Sequence, residues 1–391
     1  MSVLAKLKSE NTEFTTWRHH IHQNPETCFE EVKTSEYVAN LLTSWGVEIH
    51  RGLAKTAVVG VIKGKTNASG RTIGLRADMD ALNMSEETNL AYASKNPGKM
   101  HACGHDGHTT MLLAACKHLA ATRDFDGTVY AIFQPAEEGG GGADVMIQEG
   151  FFKQFPCETI YGMHNWPWMP LGTMAICEGA VSASTDEFEM TVTGKGGHAA
   201  FPHMTIDPIA CAAQIVSSLQ HLVSRTVDPL DSAVISVTRF LAGGEALNVI
   251  PETVELGGTI RTLKPETRAK MEEKFRHMAK TVAAAFGAEV NIKWHKGYPP
   301  TVNTAVETDF ARKIAGEIVG KDKVQEFTPM MGGEDFAYFL EKRPGAYIVL
   351  GQGKTDNDPG LHSPHYDFND NAIPYGAAYW VTLAETALAP K

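Results

Sequence analysis

Residues able to bind a cation or move a proton gather at a few places along the 391-residue chain, where a short apolar run gives way to a polar or Gly-rich loop. TIGLR runs into Ala77-Asp78-Met79-Asp80, and VYAIF into Gln134-Pro135-Ala136-Glu137-Glu138 followed by four glycines. TIYGM runs into His164-Asn165, and YIVLG leads through a polar loop to His362. His101-Ala102-Cys103-Gly104-His105-Asp106-Gly107-His108 opens a helical stretch, so its side chains lie near a helix N-terminus. In open α/β sheets, ligands bind where the strands end. A thiolate, imidazoles and carboxylates supplied from separate loops suit a borderline ion such as Zn²⁺, Mn²⁺ or Co²⁺. The paired Cys or Cys/His spacing of structural zinc is missing, and so is a His-Glu-x-x-His helix.

Glu137-Glu138 is the sharpest single clue. If one carboxylate binds metal, its neighbour lies beside the water that the ion activates and can act as general base. Taken alone, a Glu-Glu pair reads first as a solvated acidic loop. The run Gly139 to Gly142 shifts that balance, since glycines after a strand suggest close backbone approach to something bound. Other candidates reduce to structure. His19, His20 and His22 are spaced i, i+1, i+3 and do not converge on one ion, so they read as surface or capping residues. His108 points along the first turn of its helix and reads as structural. No Gly-x-Ser-x-Gly elbow supports a nucleophilic serine. Gly194-Lys195-Gly196-Gly197 lacks P-loop spacing.

The elements that must position these residues follow from periodicity and punctuation. EFTTWRHHIHQNPE reads as a helix stopped at Asn24-Pro25, and TSEYVANLLTSWG as a second ending on Gly46. Then come TAVVGVI, TIGLR, a helix from Thr109 to about Ala121, TVYAIF, a helix around ADVMIQEGFF, and TIYGM. This alternation predicts an α/β layer on a mixed, largely parallel sheet. From Asp186 to about Trp294 the order becomes strand, helix, strand, strand, helix, strand, the ferredoxin-like α+β unit, read as an insertion. VETDFARKIAGEIVG, GAYIVLG and IPYGAAYWVTLAETAL then resume the first pattern. The expected organisation is a two-domain α/β protein, with a catalytic domain in segments 1–182 and 295–391 around an inserted domain at 183–294.

Composition narrows the partners. With 43% hydrophobic and 21% charged residues the chain can bury a large core and exceeds one typical domain. Its 46 acidic and 35 basic side chains give a net charge of -11, which leaves no basic stripe for nucleic acid and disfavours anionic membrane surfaces. No apolar run approaches the ~20 residues of a membrane span, and no secretory signal is visible. Six cysteines without paired spacing fit a reducing cytoplasm, with Cys116 and Cys211 read as small buried thiols in helices.

In chain order, HQNPE, GLRADMDAL, MHACGHDGHTTMLL, FQPAEEGGGGA, GMHNWP, TGKGGHAAFPH, NVIPE, GTIRT, GGEDFAYF and LHSPHYDFND resemble the M20 metallopeptidase family. The likeness is to its amidohydrolase branch of bacterial N-acyl-amino-acid hydrolases, hippurate hydrolases and plant auxin-conjugate hydrolases, and it covers nearly the whole chain. It implies a catalytic domain split around a smaller lid that also dimerises, and a site for two divalent ions (Mn²⁺, Zn²⁺ or Co²⁺). By the family pattern Cys103 is the bridging ligand, His105 and His164 complete one ion's set, and Glu138 and His362 the other's. Glu137 matches the general base, and Asp80 a carboxylate behind the ligands that orients them. The chain departs from the wider family at Asp78, where most members have a ligand His, and at Cys103, where they bridge with Asp. Both changes are typical of the amidohydrolase branch and shift one ligand role to His105.

In the lid, Gly196-Gly197-His198 resembles the motif whose histidine enters the neighbouring subunit's site and stabilises the oxyanion. Asn248 and Arg261 match substrate-contacting positions, with Arg261 suited to a free α-carboxylate. His203 and His365 lie beside motif residues and receive no role. The implied reaction is metal-assisted hydrolysis of the amide of a small-molecule N-acyl amino acid by a homodimer or higher homo-oligomer, with no nucleic acid or membrane partner. The alternatives are a dipeptidase or carboxypeptidase on the same scaffold, and a non-catalytic binder of acylated amino acids. Against the last, Glu137 and every expected ligand are present.

Overall fold

Runs rich in β-branched and aromatic residues, bounded by Gly, Pro or Asp, become strands. The computed structural model describes residues 1–355 and 357–390. The chain divides into two units, the first comprising Met1–Val181, Val302–Thr328 and Asp335–Lys391. Its eight-stranded sheet has the order Glu48–Arg51, Val58–Lys63, Thr128–Gln134, Thr72–Asp78, Thr159–Pro170, Gly345–Gly353, Met174–Ile176, Val324–Glu326. The four strands from Thr128–Gln134 to Gly345–Gly353 are mutually parallel. Antiparallel pairings flank them, so the sheet is mixed with a parallel centre, as expected. Thr128–Gln134 is buried at every residue, which is why its sequence reads as a continuous apolar run.

Helices cover this sheet. His105–Thr122 packs against the terminal helix Ile373–Ala387 and against Asn11–Gln23, and is itself buried almost throughout. It begins at His105, where the sequence placed its start at Thr109, because its polar first turn is buried against partners instead of solvated. The helix expected around ADVMIQEGFF is split into Gly142–Gln148 and Phe151–Gln154 by Gly150 at φ +96, a left-handed conformation open to glycine. No helix among the described residues is long and apolar enough to cross a membrane.

The second unit comprises Ser182–Thr301 and Pro329–Glu334. Its antiparallel sheet has the order Ala233–Ala242, Thr253–Thr262, Asp186–Thr193, Glu289–His295. Helices Pro208–Thr226 and Pro265–Phe286 pack on each other and on the sheet, completing the ferredoxin-like arrangement. Asp186–Thr193 alternates buried and more exposed residues, as a strand with one covered face should. Residues 295–301, which the sequence reading left in the catalytic domain, group here. Arg268, paired with the buried Asp186 at 2.6 Å, also donates to the Gly297 carbonyl at 2.7 Å, and the Tyr298 N–H donates to Thr185 Oγ1 at 2.9 Å.

Candidate metal centre

Parallel strands deliver their carboxyl ends to one place. Asp78 ends its strand level with Gln134, so the loop carrying Glu137 and Glu138 starts beside it. Thr159–Pro170 pairs with Thr72–Asp78 as far as Gly162 opposite Arg76, and two residues on His164 stands level with Asp78 at the end of its neighbour. His362 lies on the loop after Gly345–Gly353, with φ +62, tied by its N–H to the Ala102 carbonyl at 2.8 Å. Gly104, at φ +89, starts the helix that follows Cys103. A Cβ there would fall 2.5 Å from the Tyr366 hydroxyl and closer still to Asn165, so only glycine fits this approach.

The donor atoms of Cys103, His105 and His164 lie within 4.8 Å of one another, and so do those of Cys103, Glu138 and His362. The two sets share Cys103. Its Sγ is 3.3 Å from His164 Nε2, while Glu138 Oε1 is 3.3 Å from His362 Nε2 and 3.9 Å from His105 Nε2. Glu137, also buried, has its carboxylate within 4.8 Å of the donors of His105 and Glu138. Both buried imidazoles are oriented from behind. His164 Nδ1 donates to the Asn165 carbonyl at 2.7 Å, and His105 Nδ1 donates to the Asp80 carbonyl at 2.9 Å with Asp80 Oδ1 at 3.2 Å. Each Nε2 therefore faces the centre. Asp80 Oδ2 also accepts the Glu138 N–H at 2.9 Å, so one carboxylate fixes two donors.

Electrostatics show what this arrangement lacks. Burial, then the charges of Glu138, Glu137 and Asp78, push the Cys103 thiol well above its usual value. Burial opposes a charge on His105, yet Asp78 and Asp80 outweigh it and lift the imidazole to about 10. Burial holds His164 down to about 3, which leaves a neutral ring whose Nε2 lone pair faces Cys103 Sγ. His105 Nε2 and Glu138 Oε1 are buried without a hydrogen-bond partner. Clustered carboxylates, a thiol resisting ionisation and two buried donor atoms without hydrogen bonds, in a site whose His362 side faces solvent, call for positive charge, and the donor set fits divalent metal.

The remaining expected residues lie in the second unit. His198 sits on the two-residue strand Gly197–His198, paired with Val249–Ile250, and the Asn248 carbonyl accepts the Ala199 N–H at 2.9 Å, so His198 and Asn248 are neighbours. Arg261 is on Thr253–Thr262, where it lines an open groove with Glu187, Arg239 and His295.

Two readings are corrected. The glycine run needs no bound partner to explain it: a Cβ on Gly140 would fall 2.7 Å from the Ala136 Cβ and 2.8 Å from the Phe29 ring, and one on Gly142 would strike the Pro135 carbonyl. These glycines let the loop close on itself. His22 is not a surface residue. It is fully buried, with Nδ1 2.8 Å from Asp106 Oδ2 and Nε2 3.3 Å from Glu86 Oε1, because its helix face packs against His105–Thr122. His108 is structural as read: Nδ1 donates to Asp78 Oδ1 at 2.6 Å, while Nε2 accepts the Asn165 N–H at 2.9 Å.

Sequence reasoning assigned no site role to Asp78, Arg76 or Asn165. Asp78 accepts from Arg76 Nη1 at 2.7 Å and lies 3.7 Å from His105 Nε2. Burial works against its charge, but His105, Arg76 and His108 hold the carboxyl well below the usual range. A signal was available, since Arg76 inside the apolar run TIGLR must be buried and therefore needs carboxylate partners.

Peptidase family M20/M25/M40 matches residues 74–386. A hippurate hydrolase of Campylobacter jejuni is 42% identical over 386 residues, 98% of this chain and 99% of that one. An N-acetyl-L-cysteine deacetylase of Bacillus subtilis is 40% identical over 357 residues, 91% and 83% of the two chains. The solved YXEP protein of B. subtilis, described as a dinuclear metal binding peptidase from the M20 family, superposes with a TM-score of 0.85 at 36% identity, covering 97% and 99%.

Proposed function

The chain belongs to peptidase family M20/M25/M40, and from that premise we propose that it is a metal-dependent amidohydrolase cleaving the amide bond of N-acyl amino acids. The observation that carries this reading is the pair of donor sets sharing Cys103, with the buried Glu137 carboxylate beside them. Cys103, His105 and His164 would hold one divalent ion, and Cys103, Glu138 and His362 a second, with Mn²⁺, Zn²⁺ or Co²⁺ suited to this mixed set. Bound ions would polarise the amide carbonyl and acidify a water.

The chain's own residues do the rest. Glu137 takes the proton of the attacking water and passes it to the leaving amine nitrogen. Asp80 fixes the His105 tautomer and the Glu138 backbone, so the donors are set before substrate arrives. His198 of the partner subunit in a homodimer donates to the developing oxyanion, a contact worth ~3 to 4 kcal/mol. Arg261 grips the free carboxylate through its planar fork, and Asn248 contacts substrate next to His198. The six cysteines are free thiols, which suits a cytoplasmic enzyme.

The test is steady-state hydrolysis of N-acetyl, N-benzoyl and long-chain N-acyl amino acids beside dipeptides, with chelator-stripped protein reloaded with each metal in turn. Metal-dependent turnover of acyl amino acids well above dipeptides is expected. Turnover of dipeptides alone would make it a peptidase, and metal uptake without turnover a binding protein. Glu137→Gln should keep its metal and lose kcat by orders of magnitude; loss of metal would exchange the roles of the two glutamates.

A further inference from the structure

Ala136 immediately precedes Glu137 and has φ +59, a left-handed conformation in which a Cβ crowds the backbone. Alanine does not stay there unaided. The Ala136 N–H donates to Glu31 Oε1 at 2.9 Å, the Phe29 N–H donates to the same oxygen at 3.1 Å, and the Thr56 hydroxyl donates to Glu31 Oε2 at 2.7 Å. Phe29 is itself left-handed at φ +61, so one carboxylate restrains two backbone positions of this kind. The Gly142 N–H closes the other side of the turn on the Ala136 carbonyl at 3.1 Å. Glu31 is fully buried, and it belongs to none of the candidate metal-donor groups among the described residues. A buried carboxylate that binds no ion and holds the backbone next to the base has a clear mechanical use.

We propose that Glu31 is a positioning residue for hydrolysis, holding Ala136 left-handed through its N–H and so aiming the Glu137 carboxylate. The inference rests on Glu137 being the base. What Glu31 supplies is acceptor geometry: Gln at 31 keeps one oxygen for the two amide N–H groups and turns its NH₂ toward the Thr56 hydroxyl, which can rotate to accept. Leu has similar bulk and no acceptor. Misplacement of a reacting group by ~1 Å costs on the order of 100-fold in rate.

Four variants decide it, each assayed for kcat, KM, bound metal and thermal midpoint. Glu31→Leu should lower kcat about 10- to 100-fold with KM and metal content within twofold of wild type. Glu31→Gln should keep kcat within a few-fold. Adding Ala136→Gly to Glu31→Leu should restore most of kcat without restoring the thermal midpoint, since glycine adopts the left-handed turn without help. Glu137→Gln reports on the underlying reading, and if it retains kcat, that reading fails first. With Glu137→Gln inactive, the proposal is overturned by wild-type kcat in Glu31→Leu, by equal losses in Glu31→Gln and Glu31→Leu, or by no recovery with Ala136→Gly. Should Glu31→Leu not fold, Thr56→Val removes a single bond to Glu31, and a smaller kcat loss relieved by Ala136→Gly is the supporting result. An unaffected kcat in Thr56→Val then counts against the proposal.

Discussion

Gly107→Ala places two well-known effects in opposition, and the structure decides the sign. In a helix interior, Ala is worth ~1 kcal/mol more than Gly, so propensity alone says this substitution stabilises. A Cβ at 107, however, would sit 2.5 Å from Phe368 Cζ and closer still to two other ring carbons. Carbon contacts are comfortable at ~3.5 to 4.0 Å, so the ring or the helix must give by at least about 1 Å. Neither has room, since Phe368 is 1% exposed and the helix is buried on nearly every side. Overpacking of this kind costs ~1 to 3 kcal/mol and more where the ring cannot turn aside, which outweighs the propensity gain. The net loss should lower the calorimetric midpoint of the first unit by a few degrees, at ~2 to 4 °C per kcal/mol.

Activity should suffer more than stability. Gly107 is two residues from His105, and a ~1 Å shift of that turn would displace this candidate metal donor and cost about 100-fold in kcat. Pairing Gly107→Ala with Phe368→Leu should recover much of both losses, as expected for directly coupled sites. A raised midpoint with unchanged kcat in Gly107→Ala would refute the reasoning, because the start of this helix would then not be held by Phe368.

Three further outcomes follow from the same geometry. Stripping metal should lower the thermal midpoint of the first unit, because an ion bound only by the folded donor set stabilises that fold, and reloading should restore it; equal midpoints would mean the site is balanced without a cation. Burial disfavours charge on His22, but Asp106 and Glu86 lift its pKa to about 9, above the ~6.5 of an unfolded chain. Its stabilising contribution is therefore complete below pH ~6.5 and lost as pH rises through 9, so urea titrations should show a downward slope across that window that flattens in His22→Gln; equal slopes would contradict the pairing. For the proposed sharing of the site between subunits, mixing His198→Ala with Glu137→Gln subunits should regain part of the activity that neither has alone, and failure to regain any, once subunit exchange is shown, would put the histidine in its own subunit's chemistry.

The ligands were legible because of where they stand. The candidate ligands Glu138, His164 and His362 stand where apolar runs give way to polar or Gly-rich loops, and a parallel sheet brings such ends together whatever the intervening sequence. The ferredoxin-like order was equally plain from strand and helix periods. The supports were much less visible. His22 looked like a surface histidine because its partner Asp106 lies 84 residues away, and Glu31 reaches Ala136 across 105 residues. Pairing of that kind carries no local period. The start of the His105–Thr122 helix was misplaced for the same reason, since a polar first turn reads as loop until its buried partners are known.

That asymmetry follows from the physics of the site. A metal donor needs only the right atom at a strand end, so its type and location show in the sequence. A donor that must not move needs its loop held by groups outside that loop, and in a dry interior these are charged groups with strong, directional bonds. Asp80 binds His105 and the Glu138 backbone, Asp78 binds His108, Asp106 is held by His22 and Arg18, and Glu31 holds Ala136. Each of these carboxylates is buried, and of the four only Asp80 was read in the sequence as orienting the ligands. Arg76 and Arg18 offset part of the negative charge at Asp78 and Asp106. Around Glu137, Glu138 and Cys103 the donors of both sets converge on one place, so the same arrangement that holds the donors rigid also makes cation binding favourable.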